Sequence, residues 1–229
     1  MKKELFSIGG IPAILWGDES DKIYIFVHGK MSRKEYAEQF AQIAESKGYQ
    51  TLSFDLPEHG ERMDNSRCDV WNGMRDLNII ADYVFAKWKH VFLFANSLGA
   101  YFSLNAYADR PFEKALFLSP VVDMKWLVEH MMLWSGVTEK ELKERKEIET
   151  DIDTLRWDYY QYILAHPITG WSIHTAILFG GKDSLQTLES LKIFADNFKC
   201  KLTVSPQSEH PFMGQGDYET VGEWIKENI

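Results

Sequence analysis

The chain has 229 residues, a formal net charge of −9, 45% hydrophobic residues and 26% charged residues. A chain of that length and composition buries a sizeable core and is not wholly disordered. The acidic balance argues against a protein that follows nucleic-acid phosphates or a polybasic membrane surface.

No apolar run reaches the roughly 18 residues of a membrane span. The first residues also lack the apolar stretch of a secretory signal. The expectation is therefore a cytoplasmic protein with neither nucleic acid nor membrane as partner. Cys68 and Cys200 form no CxxC pair and read as free thiols. Oligomeric state is not legible.

Along the chain, Lys3–Ile8 and Ile11–Trp16 are apolar runs around Gly9-Gly10 and predict a hairpin. Ile23–Val27 is an unbroken apolar run, the mark of a strand buried on both faces of a parallel sheet. A helix is expected over Arg33–Lys47, closed by Gly48, and a strand over Thr51–Phe54. Met74–Trp88 carries a helical stripe, Val91–Ala95 is a second buried strand, and Leu98–Ala108 is a helix. Ala115–Leu118, Ala176–Phe179 and Leu202–Val204 complete the strands, with helices over Leu185–Asn197 and Tyr218–Glu227.

Strands alternating with helices of this length predict one α/β domain over residues 1–229, a mostly parallel sheet with helices on both faces. Residues 121–174 break the alternation. They show no strand pattern, contain Trp126, Trp134, Trp157 and Trp171, and read as a helical cap insertion. The charged run Glu139–Glu149 reads as a solvated helix face.

The chemistry concentrates where strands end. Ala95-Asn96-Ser97-Leu98-Gly99 joins a buried strand to a helix, and small residues two before and two after the serine suit a sharp turn that exposes its Oγ. The same serine would also serve as a helix N-cap. A serine hydroxyl attacks only when a base removes its proton and a carboxylate orients that base. Asp183 follows the strand ending at Phe179, and His210 follows the last strand. The order Ser97, Asp183, His210 suits the elbow, and each residue falls at the carboxyl edge of the sheet, where open α/β sheets build sites. Asp123, after Leu118-Ser119-Pro120, is a rival acid.

Two backbone donors are expected for an oxyanion. Leu98 N–H heads the helix after Ser97, and Lys30 N–H follows Gly29, whose missing side chain admits substrate. One such donor is worth roughly 3–4 kcal/mol of transition-state stabilisation. Gly29, Met31, Trp126 and Trp134 are the expected substrate contacts. His28 and His59 read as residues that shape backbone. His90, His130, His166 and His174 are scattered without metal-ligand spacing, and no GxGxxG or phosphate loop is present, so neither metal nor cofactor is expected.

These motifs make the chain resemble the α/β-hydrolase superfamily: His28-Gly29 after the third strand, Asp55-Leu56-Pro57-Glu58-His59-Gly60 after the fourth, ANSLG at the elbow, and Asp183 and His210. The resemblance covers nearly the whole chain, with 121–174 in the position of the cap. It implies an eight-stranded sheet, a Ser–His–Asp triad and ester-type hydrolysis, the expected substrate being a small ester or related acyl compound. Two departures stand out: Ala95 where glycine is commoner, and PEHGER where the superfamily has a glycine-rich loop. The superfamily also holds transferases, lyases and non-catalytic members, so an acyltransferase, a C–C hydrolase and a binding protein stay open as alternatives.

Overall fold

In the structure, a computed structural model that describes residues 1–229, the first two strands, β1 (Lys3–Ile8) and β2 (Ile11–Trp16), pair antiparallel. Gly9 and Gly10 both take positive φ, as a two-residue primed turn requires. The chain continues through β3 (Lys22–Val27), α1 (Glu38–Ser46), β4 (Gln50–Phe54), α2 (Val70–Phe85), β5 (His90–Asn96), α3 (Leu98–Ala106) and β6 (Ala115–Leu118). An insertion follows with α4 (Met124–Trp134), α5 (Glu139–Arg145), β7 (Glu147–Glu149), β8 (Thr154–Arg156) and α6 (Trp157–Ala165). The chain then returns through β9 (Thr175–Gly180), α7 (Leu188–Phe198), β10 (Lys201–Ser205) and α8 (Asp217–Asn228).

The main sheet has eight strands in the order β1-β2-β4-β3-β5-β6-β9-β10. β2 pairs antiparallel with β4, and every pair from β4 to β10 is parallel. Alternate residues of β3 feed two cores. Ile23, Ile25 and Val27 face a core shared with α2, α3, α7 and the insertion, while Tyr24 and Phe26 face one shared with α1 and α8. That two-sided burial is why β3 lacks polar alternation.

Three elements differ from the sequence expectation for identifiable reasons. Residues 34–37 form a 3₁₀ turn ahead of α1, because Lys34 is drawn inward and bonds Asp55 through both its backbone N–H and its ammonium. α2 begins at Val70, a turn before the apolar stripe. Asp69 caps it by accepting Asn72 N–H at 3.0 Å, and Gly73 sits where any Cβ would strike Phe102 of α3. The insertion contains a strand pair, β7 with β8, which the sequence did not suggest. Each strand buries one apolar side chain, Ile148 or Leu155, too short a pattern to see among charged neighbours. Accordingly only Glu139–Arg145 of the charged run is helical, ending where Lys146 takes a positive φ.

Candidate active site

Ser97 occupies the bend between β5 and α3 with φ 52° and ψ −118°, a conformation side chains rarely adopt. Gly99 makes the bend possible, since a Cβ there would strike His28 O. Although Ser97 stands in the N-cap position, its hydroxyl caps nothing. It lies 2.9 Å from His210 Nε2. His210 Nδ1–H donates to Asp183 Oδ2 at 2.9 Å, which leaves Nε2 as the acceptor for the serine proton. The Asp183 side chain is fully buried, and its other oxygen accepts Leu185 N–H at 2.8 Å and Gln186 N–H at 3.3 Å. That turn also delays α7 until Thr187 can cap it.

The acid and base loops meet because of Gly180-Gly181. A Cβ on Gly180 would fall 2.6 Å from Ser208 O, and one on Gly181 would fall 2.9 Å from Pro206 Cα. Backbone bonds from Gly181 N–H to Ser205 O (2.8 Å) and from Lys182 N–H to Ser208 O (3.0 Å) tie the loops together. The rival Asp123 is elsewhere, capping α4 through Trp126 N–H at 2.9 Å.

The loop after β3 faces Ser97. Gly29 lies so close that a Cβ would sit 3.1 Å from Ser97 Cβ. His28 Nδ1–H donates to Gly29 O at 2.7 Å, and its Nε2 accepts Leu56 N–H at 3.0 Å. Burial holds the imidazole neutral, pushing its pKa down from 6.5 to about 4. His59 repeats the arrangement, donating to Pro57 O at 2.7 Å and accepting Met31 N–H at 3.0 Å. Both histidines therefore bond backbone. With Met31 N–H taken, Lys30 N–H donates to no other protein group. Leu98 N–H, in the first turn of α3, has no helical partner either. The Met31 side chain is 91% exposed.

Next to this loop Lys34 and Asp55 form a buried ion pair, and the ammonium also reaches the more exposed Glu35 and Glu61. Burial alone would drive the Lys34 ammonium down, but Asp55 at 2.7 Å, Glu61 at 3.0 Å and Glu35 at 3.1 Å outweigh it and raise its pKa.

Trp126 and Trp134 flank His130 along α4, with ring centroids 3.7 Å and 5.9 Å away. They are not brought to Ser97 through any hydrogen bond or ring contact. A cavity of about 320 Å³ opens between α3, α4, α6 and α7, lined by Tyr101, Val122, Ile163 and Phe194 among others, and neither tryptophan lines it. Ion pairs seat the β7–β8 hairpin on the core. Lys30 meets Asp153, Arg67 meets Glu147 at 2.7 Å, and Arg156 meets Asp69 at 3.0 Å.

Solved structures share this arrangement of strands and helices. Est1E from Butyrivibrio proteoclasticus with ferulic acid bound superposes with a TM-score of 0.81 at 18% identity, covering 98% of this chain and 96% of that one. The chain has the α/β-hydrolase fold. Mouse alpha/beta hydrolase domain-containing protein 10 is similar at TM-score 0.79 and 18% identity, over 99% of this chain and 98% of that one. A monoacylglycerol lipase from Paleococcus ferrophilus gives 0.66 at 17% identity, over 99% and 100%. No family model matches the sequence, and no curated protein matches it. No helix of this α/β-hydrolase fold is long and apolar enough to cross a membrane.

Sequence reasoning passed over Gln186. Its buried amide accepts Val122 and Asp123 N–H at 3.0 and 2.8 Å and donates to Asp123 O at 3.1 Å, linking the acid loop to the root of the insertion. A glutamine in a turn carries no motif that would reveal this.

Proposed function

We propose that the protein is a serine hydrolase that cleaves a small ester or related acyl compound through an acyl-enzyme on Ser97. The observation that carries this reading is the continuous chain from Ser97 Oγ through His210 to Asp183, with both links at 2.9 Å. His210 Nε2 takes the serine proton as Oγ attacks the acyl carbon. Asp183 fixes the tautomer and stabilises the imidazolium. The Lys30 and Leu98 N–H groups receive the charge that develops on the carbonyl oxygen. His210 returns its proton to the leaving group, then activates the water that releases the acid. No step calls for a cofactor.

Est1E with its ferulic acid and the monoacylglycerol lipase among the similar structures support acyl hydrolysis. The ferulic acid in Est1E and the aromatic insertion of this chain support an apolar or aryl acyl group, held beside Gly29 and Met31. Residues 121–174 act in this reading as the cap of a single domain, and Trp126 and Trp134 contribute to acyl selectivity. Shrinking either tryptophan is then expected to alter the preference among p-nitrophenyl esters of increasing chain length while sparing the acetyl ester. The deciding experiment is intact-mass analysis after fluorophosphonate treatment. Wild type gains one adduct and Ser97→Ala gains none; equal labelling of both removes Ser97 from the mechanism.

A further inference from the structure

We propose that Asp217 is a positioning residue that braces the loop carrying His210. The proposal rests on reading Ser97, His210 and Asp183 as the reacting set. His210 lies in the irregular stretch 206–216 between β10 and α8. A catalytic side chain on such backbone keeps its aim only if the loop is tied on both sides. Ahead of His210, Ser208 O accepts Lys182 N–H, and after it Phe212 packs into the core. Asp217 supplies the remaining ties.

Asp217 opens α8 and is buried. One carboxylate oxygen accepts the Ser208 hydroxyl proton at 2.5 Å. The other accepts Gly214 N–H at 2.8 Å. The single carboxylate thus holds a residue before His210 and a residue after it. Ser208 has one hydroxyl proton and gives it to Asp217, so Ser205 donates to Ser208 Oγ at 2.7 Å and extends the chain back to the end of β10. The backbone closes the same ring, with Asp217 N–H donating to Gly214 O at 3.2 Å. An acid in the first turn of a helix ordinarily bonds amides of its own helix or simply faces the positive end of its dipole. Both Asp217 oxygens instead bond the histidine loop. The carboxylate also stands apart from the acid that orients the imidazole, since Asp183 bonds His210 Nδ1 directly.

The side-chain amide of Asp217→Asn would keep an oxygen for Ser208 but turn an NH₂ group toward Gly214 N–H, so the substitution opens one side of the brace. A misplacement near 1 Å costs about 100-fold in rate. Asp217→Asn is therefore expected to lower kcat for p-nitrophenyl acetate by about that factor with KM unchanged. Ser208→Ala, which removes the other tie, is expected to lower kcat about tenfold on the same scale. Spectra of ¹⁵N-labelled histidine give a readout that general destabilisation would not move. Wild type is expected to show His210 as the Nδ1–H tautomer, and a folded variant to show a mixture. A folded Asp217→Asn protein with wild-type kcat and a pure Nδ1–H tautomer would overturn the proposal. If that variant does not fold, the same outcome in Ser208→Ala overturns it. Failure of wild type to react with fluorophosphonate would remove the hydrolase reading instead, while the tautomer spectra still report on the brace.

Discussion

The loops at the carboxyl edge of the sheet and the β7–β8 hairpin of the insertion are held in place by different physics. The loops are tied largely by bonds that are buried or partly buried: His28 and His59 to backbone, Lys34 to Asp55, Gln186 to Val122 and Asp123. The β7–β8 hairpin is seated by ion pairs whose outer members, Lys30 with Asp153 and Arg67 with Glu147, keep much of their side chains in water. Buried bonds are expensive to break and indifferent to salt, whereas exposed ion pairs contribute little and are screened. The loops around Ser97 thus rest on buried bonds, whereas the outer rim of the hairpin rests on screened pairs.

The largest test of that contrast is chemical. Asp183→Asn is expected to cut turnover by about 10⁴, the scale seen when an orienting acid becomes an amide. Asp123→Asn should leave turnover of a short ester within a fewfold of wild type, because Asp123 caps α4 and touches no imidazole. Steady-state kinetics on an acetyl ester separates the two, and the reverse ranking would move the acid to the root of the cap.

Next comes the charge cluster. Lys34→Met would leave the fully buried Asp55 carboxylate without a cation, held only by the backbone N–H groups of residue 34 and Glu61, and losing one partner of a buried pair costs about 3–5 kcal/mol. Urea unfolding followed by circular dichroism would measure it. A loss under about 1 kcal/mol, the scale of an exposed pair, would mean that the loop under Ser97 is not held by buried charge.

His28 gives an effect of similar size that depends on pH. Its folded pKa, about 4, lies below the ordinary 6.5. Below pH 6.5 the unfolded chain takes up the proton that the folded chain refuses, so stability falls as pH drops toward 4. The shift corresponds to about 3 kcal/mol. His28→Asn, whatever its stability at neutral pH, should lose less on acidification than wild type. Equal slopes would place the acid sensitivity elsewhere.

Arg67→Ala should have the smallest effect. Its pair with Glu147 is half exposed on both sides, and pairs so exposed contribute little and are screened by salt. Melting temperatures at low and high salt should differ slightly for wild type and less for the variant. A large loss would mean that the hairpin is anchored as firmly as the loops.

How much of this could be read beforehand depended on the range of the interaction. Unbroken apolar runs such as Ile23–Val27 and Val91–Ala95 announce buried strands, and the small residues around Ser97 announce the bend, because both signals lie within a few neighbours. Ser97, Asp183 and His210 were each visible as loop residues following strands, and the structure brings their side chains together. The hairpin of the insertion was illegible because one buried residue per strand makes no period. Lys34, Asp217 and Gln186 were illegible for another reason. The buried partners Asp55, Ser208 and Val122 with Asp123 lie 21, 9 and 63–64 positions away and share no spacing that a sequence motif could mark. Trp126 and Trp134 show the converse: conspicuous composition marks them for substrate contact, while the partner the structure gives both rings is His130, which no spacing announced.

The close seating of Gly180 and Gly181 against Ser208 and Pro206 bears on how the chain can lengthen. Two loops pressed backbone to backbone have no slack, so an added residue in either one would displace acid from base at once. The turn between β7 and β8 faces solvent and ends at exposed ion pairs. Variation in length among descendants of this chain should therefore collect in the hairpin and stay out of the paired loops, where any insertion would part Asp183 from His210.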